Sequence, residues 1–323
     1  MTSTLVWHQG ALGDLILSLP TLHCLKVDKR VSRLHLISRT DICDILIENS
    51  LADEVSSAEN GLFADIFVAN KASQKASEFL RKFSSAFIFM KRPDDVFAEN
   101  LMKHIPECFF ISTGLPEGFV DHMSVYQVEQ LKQLGIAGRE IPPLKVKQSL
   151  LFDHCGKDVI TIHPGSGGQK KCWPLDRFLK LMELLDREKR FYFYFILGPA
   201  EDPDLHRISE KFVSANGIDA SLITDRPVSH IAPLLKSATV HIGNDSGITH
   251  LASALGTPTI AVFGPTDPKI WGPYGRRVSI VRAGIPCSPC AEKDRRQCLQ
   301  LSCLDEVKVN DVLLAVEDIL KFS

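Results

Sequence analysis

The chain has 323 residues, of which 45% are hydrophobic and 24% charged, and its formal net charge at pH 7 is −2. This balance predicts a folded globular protein and argues against a disordered or fibrous chain. Because the length exceeds that of one typical domain, we expect two domains. The near-neutral charge argues against a nucleic-acid partner. No apolar run reaches the length of a membrane span, and the amino terminus lacks the basic start of a secretion signal, so we expect a cytoplasmic protein.

Short apolar runs alternate with helix-like stretches throughout the chain, which is typical of parallel α/β units. In the first half, strands are predicted at 3–8, 34–37, 86–89 and 107–111, and helices near 15–26, 41–48, 73–83 and 122–134. In the second half, strands are predicted at 159–163, 191–197, 220–223, 240–243 and 259–263, and helices near 174–189, 204–216, 229–237 and 247–255. The pattern therefore predicts an α/β protein with two doubly wound parallel sheets.

The two predicted domains are residues 1–150 and 151–323. Between them, the segment 138–157 contains Pro142 and Pro143 and shows little periodicity, which indicates a linker. Ligands of open α/β folds bind beyond the carboxyl ends of the strands. We therefore expect the functional site in a cleft between the domains.

The first candidate motif is the turn Gly10-Ala11-Leu12-Gly13-Asp14, which follows the first predicted strand. Asp14 fits two roles. As a helix N-cap it would be an ordinary structural residue, which is the commoner case on residue chemistry alone. At the mouth of a sheet its carboxylate could instead accept a hydroxyl proton as a general base. The turn lacks the Gly-x-Gly-x-x-Gly spacing, which argues against a dehydrogenase.

A second motif occupies residues 163–174, directly after the first predicted strand of the second domain, and contains Ser166, Lys170 and Lys171 among several glycines. Glycines and a serine let the backbone approach a phosphate, and lysines neutralise its charge. A solvated surface loop is the ordinary alternative. The position of the motif at the carboxyl end of a strand favours a ligand site.

A third motif is the strand-to-helix turn at 243–250. Its amides and the helix dipole suit a diphosphate, and the hydroxyls of Ser246 and Thr249 add donors. Asp245 either caps the helix or binds a sugar hydroxyl. His250 is either part of the site or an ordinary packed residue. Two anion-suited turns in one domain indicate a nucleotide-binding domain more strongly than one would.

Glu201 is a weaker candidate, four residues after the strand predicted at 191–197. A glutamate there could bridge the ribose hydroxyls of a nucleotide. An exposed glutamate in the first turn of a helix is the commoner explanation, and both interpretations stay open.

The chain contains nine cysteines, an odd number that favours reduced thiols over a disulfide framework. Four of them are clustered: Cys287, Cys290, Cys298 and Cys303. Four thiolates could hold a structural zinc ion, although thiols need no metal in order to be buried. Metal binding by this cluster is left open, and no metal is assigned to the functional site.

These motifs, in this order along nearly the whole chain, resemble the lipopolysaccharide heptosyltransferases of glycosyltransferase family 9. The resemblance rests on Gly13-Asp14, on Lys171-Cys172-Trp173-Pro174, and on Asn244-Asp245-Ser246-Gly247-Ile248-Thr249-His250 followed by Gly256-Thr257-Pro258 and Phe263-Gly264-Pro265-Thr266. It implies the GT-B arrangement, in which two Rossmann-like domains face an interdomain cleft. The amino-terminal domain then binds the acceptor and the carboxyl-terminal domain binds the nucleotide sugar.

The same resemblance implies roles for individual residues. Asp14 matches a catalytic base, Lys171 a contact to the donor phosphates, and Glu201 a ribose-binding acid. The substrate-binding set implied in this way is Gly13, Ser166, Lys171, Glu201, Asn244, Asp245, Ser246, Gly247, Ile248, Thr249 and His250. The loop before Lys171 varies in length within the family, so the choice between Lys170 and Lys171 as the phosphate contact is left open.

The resulting prediction is an inverting glycosyltransferase that needs no metal and no cofactor and moves heptose from ADP-heptose to a lipid-linked lipopolysaccharide inner-core acceptor. A nucleotide-sugar 2-epimerase of the same architecture is one alternative. A non-catalytic nucleotide-sugar-binding module is another, because fold does not dictate function. The lipid-linked acceptor also leaves open a peripheral contact with the inner face of the cytoplasmic membrane, although no basic amphipathic helix is obvious.

Overall fold

The computed structural model describes residues 3–38, 42–68, 73–91, 95–138, 140–147, 154, 156–198, 201–215 and 217–321. The chain forms two compact units, Met1–Pro142 and Pro143–Ser323. The division falls inside the predicted linker, whose described residues contain no helix or strand, while residues 139, 148–153 and 155 of that segment lie outside the described residues. Among the helices that the structure describes, none is both long and apolar enough to cross a membrane.

The amino-terminal unit is built on a parallel sheet of five strands: β1 (Ser3–His8), β2 (Arg33–Ser38), β3 (Glu54–Ser57), β4 (Ser85–Met90) and β5 (Glu107–Ser112). The strand order is β3-β2-β1-β4-β5, so β1 lies in the centre, between β2 and β4. Its residues from Thr4 to His8 are all buried, as expected for the central strand of a parallel sheet. The direction of winding reverses at β1, and open α/β sheets bind their ligands at such a switch point.

In the described part of this unit, six α-helices and a 3₁₀ helix at Gly61–Phe67 accompany the sheet. The α-helices are α1 (Leu12–Leu17), α2 (Leu19–Val27), α3 (Cys43–Glu48), α4 (Gln74–Leu80), α5 (Asp95–Met102) and α6 (Met123–Gln133). The single helix predicted at 15–26 is divided at Ser18 into α1 and α2, because Pro20 in the first turn of α2 has no N–H with which to continue the hydrogen bonds of α1. Asp41, the first residue of the helix predicted at 41–48, lies outside the described residues.

The carboxyl-terminal unit contains a parallel sheet of six strands: β6 (Asp158–His163), β7 (Phe191–Leu197), β8 (Ala220–Thr224), β9 (Val240–Asn244), β10 (Thr259–Phe263) and β11 (Val278–Arg282). The strand order is β11-β10-β9-β6-β7-β8. The central strands β6 and β9 are neighbours, and His163 pairs with Gly243 where both end. The two glycine-containing motifs that follow these strands therefore emerge side by side.

The described α-helices of this unit are α7 (Leu175–Leu185), α8 (Pro203–Ala215), α9 (Val228–Ser237), α10 (Gly247–Ala254), α11 (Pro268–Trp271), α12 (Glu292–Gln297), α13 (Ser302–Asp305) and α14 (Val309–Lys321), and short 3₁₀ helices lie at Gln169–Lys171 and Asp186–Glu188. In α7 the buried residues are Phe178, Leu181, Met182 and Leu185, a spacing that places them on one face of a helix. That face joins a core of strand residues from β6, β7, β9 and β10, and α14 packs beside α7. Asn216, the predicted last residue of α8, lies outside the described residues.

The prediction misses β3 and β11, and both are edge strands with mostly half-buried side chains. A strand that is covered on one side only shows a weaker apolar run than a central strand does. The prediction also misses α5 and the helices after β10. All the predicted strands are present, with ends that differ by no more than a residue or two.

Candidate active site

Asp14 lies in the first turn of α1, just beyond the carboxyl end of β1, and its side chain is exposed. Its Oδ2 accepts a hydrogen bond from the backbone N–H of Ala11 at 3.1 Å. Ala11 is the N-cap residue, so the N-cap interpretation of Asp14 is wrong. The reason is that α1 begins at Leu12, earlier than predicted, which places Gly13 and Asp14 inside the first turn. A carboxylate there is favoured by the helix dipole and remains accessible.

Gly10 lies under the Asp14 side chain. A Cβ on Gly10 would fall 2.7 Å from the Asp14 Cβ and 2.8 Å from Cε1 of His8, so a larger residue would displace one of them. The His8 ring is buried, and burial lowers its pKa to about 4. Its Nε2 lies 3.1 Å from the Ser18 hydroxyl, which donates to the Asp14 carbonyl at 2.8 Å. The backbone of Asp14 is therefore held from within the unit while its carboxylate faces outward.

In the carboxyl-terminal unit, Asn244 joins the two motifs that follow β6 and β9. Its Nδ2 donates to the carbonyl of Pro164 at 2.6 Å, and its Oδ1 accepts the N–H of Trp173 at 2.9 Å. The side chain is fully buried. Asn244 is predicted as a substrate-binding residue, but in this structure its amide is engaged by the loop at 164–173. Its amide therefore holds the two motifs together.

Lys171 and Asp245 form an ion pair across the same two motifs, with Nζ 2.7 Å from Oδ2. The Asp245 side chain is only 7% exposed, whereas that of Lys171 is 30% exposed. Oδ2 also accepts the hydroxyl of Thr266 at 2.6 Å, and His250 Nε2 lies 3.7 Å from Oδ1. Burial alone would raise the pKa of Asp245, but His250 and Lys171 outweigh it and hold that pKa well below its ordinary value. Asp245 is therefore a buried carboxylate whose charge Lys171 balances.

The amino terminus of α10 supplies the backbone donors of the site. Ser246 is its N-cap, and its Oγ accepts the N–H of Thr249 at 3.3 Å. Gly247 and Ile248 form the exposed side of the first turn and are half-buried, whereas Thr249 is fully buried. The Ser166 hydroxyl donates to the Asp245 carbonyl at 2.7 Å, which ties the loop after β6 to this turn. The positive end of the α10 dipole and the Lys171 ammonium therefore lie at one place, where they can bind an anion.

Glu201 lies close to the loop after β6 and is not an exposed first-turn glutamate, because its side chain is only 8% exposed. Its Oε2 accepts the N–H of Gly198 at 2.6 Å, and its Oε1 lies 3.4 Å from Nε2 of His163. Burial would raise the pKa of Glu201, but these partners lower it overall. A Cβ on Gly165 would fall 1.8 Å from the Oε1 atom, so only glycine at 165 leaves room for this carboxylate.

Lys170 turns away from the α10 turn. Its Nζ donates to the carbonyls of Arg295 and Arg296, at 3.3 and 2.7 Å, near the carboxyl end of α12. A lysine at that end of a helix pairs with unsatisfied carbonyls and a negative dipole. Of the two adjacent lysines, the structure thus brings Lys171 to the anion-suited turn and gives Lys170 a helix-capping contact.

The clustered cysteines lie in and around α12 and α13, where Cys287 is exposed and Cys303 is buried. Cys290 Sγ contacts the carbonyl of Cys287 at 3.1 Å. Within the described part of the chain, no group of three or more His, Cys, Asp or Glu side chains is placed to hold a metal ion. The zinc alternative gains no support from this arrangement.

Three further residues belong to this constellation, but the sequence predicts no separate role for them: His163, Gly165 and Thr266. Each lies at the end of a strand or in the loop after it, which is the only signal that could have marked them. Their importance comes from pairing with Glu201 or Asp245 across the site, and such pairs become visible only once the loops are placed.

A family model described as glycosyltransferase family 9 (heptosyltransferase) matches residues 116–299, more than half of the chain. The chain belongs to glycosyltransferase family 9. The match includes the loop at 164–173 and the α10 turn, so the clustered residues of the carboxyl-terminal unit lie within the family-defining region. The family predicted from the sequence is confirmed.

Among curated family 9 relatives, lipopolysaccharide heptosyltransferase 1 of Pseudomonas aeruginosa is 36% identical over 80 residues, covering 24% of this chain and 22% of the relative. Lipopolysaccharide heptosyltransferase 3 of Escherichia coli is 26% identical over 215 residues, covering 64% and 56%. Lipooligosaccharide heptosyltransferase 2 of Campylobacter jejuni is 22% identical over 321 residues, covering 97% and 96%. The aligned region thus spans under two thirds of the first two relatives and nearly all of the third.

Solved structures of family 9 proteins share the fold. A glycosyl transferase family 9 protein from Veillonella parvula superimposes with a TM-score of 0.78 at 19% identity, over 100% of this chain and 98% of that chain. The E. coli heptosyltransferase WaaC with ADP superimposes with a TM-score of 0.69 at 14% identity, over 98% and 100%. The predicted fold class, two Rossmann-like parallel-sheet units of the GT-B type, is confirmed.

Proposed function

We propose that the protein transfers a heptose from ADP-heptose to a hydroxyl of a lipid-linked lipopolysaccharide inner-core acceptor. Family membership and the names of the relatives support the sugar and the acceptor class. The neighbouring WaaC structure carries ADP, which supports an ADP-linked donor. The observation that carries the proposal is the α10 turn, where a half-buried helix amino terminus and the Lys171 ammonium meet beside a buried carboxylate.

The carboxyl-terminal unit is the proposed donor-binding unit. The free N–H groups of the first turn of α10 would bind the diphosphate, and Lys171 would neutralise it as its negative charge grows during departure. Ser166, Asn244 and Asp245 hold the loops in place, and Glu201 would accept hydroxyl groups of the ribose. Because the lysine and the helix dipole supply the positive charge, the reaction needs no divalent metal and no cofactor.

The amino-terminal unit is the proposed acceptor-binding unit, with Asp14 as the general base. The acceptor oxygen attacks the anomeric carbon from the face opposite the diphosphate, and its proton passes to the Asp14 carboxylate. The bond between the anomeric carbon and the diphosphate oxygen breaks, and ADP leaves with the bonding electrons. A single displacement of this kind inverts the anomeric configuration. Because the acceptor is lipid-linked, we propose that the reaction takes place at the inner face of the cytoplasmic membrane.

The proposal is tested with purified protein, ADP-heptose and heptose-free inner-core lipopolysaccharide. Mass spectrometry should show one added heptose, nuclear magnetic resonance of the product should show the inverted anomer, and a chelator should leave the rate unchanged. A parallel sample without acceptor separates the alternatives. Conversion of the donor to its epimer there would support a 2-epimerase, and donor binding without turnover on any acceptor would support a binding module.

A further inference from the structure

A continuous line of buried polar contacts runs through the donor-binding unit beneath the anion-suited turn. It begins at Glu201, whose Oε1 lies 3.4 Å from Nε2 of His163. The other ring nitrogen of His163, Nδ1, lies 3.1 Å from Oγ of Ser246. The His163 ring is therefore placed between the carboxylate that is proposed to bind the ribose and the N-cap of the helix that is proposed to bind the diphosphate.

The chemistry of the partners defines which ring nitrogen carries the proton. An ionised carboxylate only accepts hydrogen bonds, so the His163 tautomer that suits Glu201 carries its hydrogen on Nε2, which lies 3.4 Å from Oε1. A ring that carries its hydrogen on Nε2 alone accepts the Ser246 hydroxyl at Nδ1, which lies 3.1 Å from Oγ. Ser246 Oγ in turn accepts the N–H of Thr249, which completes the cap of α10.

The surroundings leave this ring little freedom. His163 is 5% exposed, and it ends β6 next to Gly243 of β9. Beyond Ser246 the polar line continues through Thr249 to His241, which is fully buried and has a pKa lowered to about 3 by burial. Among the described residues, Glu201 contacts His163 directly, and the polar line from Ser246 leads to His241.

We propose that His163 is a positioning residue that holds Glu201 and Ser246 in one fixed arrangement, so that the ribose and diphosphate ends of the nucleotide are recognised together. The inference rests on the proposed function, because it takes ADP as the nucleotide and Glu201 as the ribose-binding acid. His163 is itself buried, with 5% of its surface exposed. Its effect on the donor passes through the two partners, one on each ring nitrogen.

Two substitutions can test the contacts with Glu201 and Ser246 separately, because each places a polar atom where one ring nitrogen of His163 lies. In His163→Gln the side-chain amide reaches as far as Nε2, so it keeps a donor for Glu201 and loses the acceptor for Ser246. In His163→Asn the side-chain oxygen lies where Nδ1 lies, so it keeps the acceptor for Ser246 and loses the donor for Glu201. Both residues are polar and smaller than or similar to histidine, and melting curves verify that both variants fold.

Calorimetry measures the dissociation constants of ADP, AMP and 2′,3′-dideoxy-ADP for wild type and both variants. The wild-type protein should prefer ADP over the dideoxy nucleotide by about tenfold or more, as sites that bind a hydroxyl do. His163→Asn should lose most of that preference and keep the wild-type ratio of ADP to AMP affinity. His163→Gln should keep the ribose preference and reduce the ADP to AMP ratio several-fold.

A merely structural His163 would shift both ratios together or neither, and either pattern overturns the inference. A second measurement needs no variant: ring nitrogen shifts of the wild-type protein should show the His163 tautomer with hydrogen on Nε2, and the Nδ1–H tautomer would contradict the proposal. The transfer assay separates a failure of the His163 inference from a failure of the proposed function. If the wild-type protein transfers heptose but the variants keep the wild-type affinity ratios among the three nucleotides, only the role of His163 is disproved. If the wild-type protein neither binds ADP nor transfers heptose, the proposed function is disproved as well.

Discussion

The ammonium of Lys171 lies 2.7 Å from the carboxylate of Asp245, and this pair connects the loop after β6 to the turn after β9. The carboxylate is almost completely buried, so its negative charge depends on the lysine for compensation. An anion bound at the α10 amino terminus would lie near this carboxylate. Lys171 therefore balances a fixed buried charge, and in the proposed function it also neutralises the diphosphate.

Lys171→Ala should destabilise the carboxyl-terminal unit, because it leaves Asp245 buried without its cation. The loss should be about 2 kcal/mol, below the roughly 3–5 kcal/mol of a fully buried pair, since Lys171 is partly exposed. Denaturant unfolding measures it. Lys171→Ala combined with Asp245→Asn should recover part of the loss, because the amide carries no charge. Losses that simply add in the double variant would show that the pair has no energetic coupling.

The adjacent lysines should differ in their effect on the donor. Lys171→Ala should weaken ADP binding roughly 10- to 100-fold, the usual worth of a charge-assisted contact. Lys170→Ala is the matched control, because its Nζ contacts the carbonyls of Arg295 and Arg296. That variant should destabilise α12 and leave the dissociation constant for ADP within about twofold. Equal losses of affinity in both variants would contradict the assignment of Lys171.

Gly165→Ala should weaken nucleotide binding, because the added methyl group would overlap Oε1 of Glu201 and displace that carboxylate. We expect most of the discrimination between ADP and its 2′,3′-dideoxy form to disappear. Gly167→Ala serves as the control, since a Cβ there meets no described atom within 4 Å. Calorimetric titration of both variants gives the comparison. If Gly165→Ala binds and discriminates like wild type, Glu201 does not contact the ribose from its present position.

The strands at the centre of each sheet can be predicted from the sequence, because strands buried on both faces appear as uninterrupted apolar runs. The places where the motifs meet also follow, since parallel strands end at the same edge. The specific side-chain pairs do not follow. Lys170 and Lys171 are chemically identical neighbours, and the short 3₁₀ turn at Gln169–Lys171 sends them in different directions. The hydrogen bonds from Asn244 to Pro164 and Trp173 likewise depend on the path of an irregular loop. The pattern of apolar residues in the sequence does not predict that path.

Asp14→Asn tests the proposed general base. Asparagine can still accept the N–H of Ala11, so the variant should fold and melt like wild type. It should also bind ADP normally, because the proposed donor site lies in the carboxyl-terminal unit. The turnover number should fall roughly 10²- to 10⁴-fold, since an amide cannot accept the acceptor's proton. Near-normal transfer by a folded Asp14→Asn protein would falsify the role of Asp14 as base.

Two buried histidines should make stability depend on pH. Burial lowers the pKa of His8 to about 4 and that of His241 to about 3, both from 6.5. Below pH 6.5 these two histidines bind protons in the unfolded chain but stay neutral in the folded chain. The free energy of unfolding should therefore fall as the pH decreases towards 4. At pH 5 the loss relative to pH 7 should be about 2 kcal/mol for each histidine.

Guanidinium unfolding at pH 7 and pH 5 measures this dependence in wild type and in His241→Gln. The variant should be less stable at pH 7, because it disturbs contacts with Thr161 and Thr249, but it should lose about 2 kcal/mol less between the two pH values. Equal stability of the wild-type protein at both pH values would show that these rings are not held neutral.

The two hydrogen bonds of the Asn244 side chain have a consequence for the design of variants of this protein. The Asn244 side chain binds both the carbonyl of Pro164 and the N–H of Trp173, so it couples the loop after β6 to the end of β9 in the carboxyl-terminal unit. If residues 164–173 alone were replaced by those of a relative, the new loop would lack the relative's turn at 243–250, which holds that loop in place. Chimeras designed to change nucleotide or sugar preference should therefore exchange residues 163–174 and 243–250 together, as one cassette.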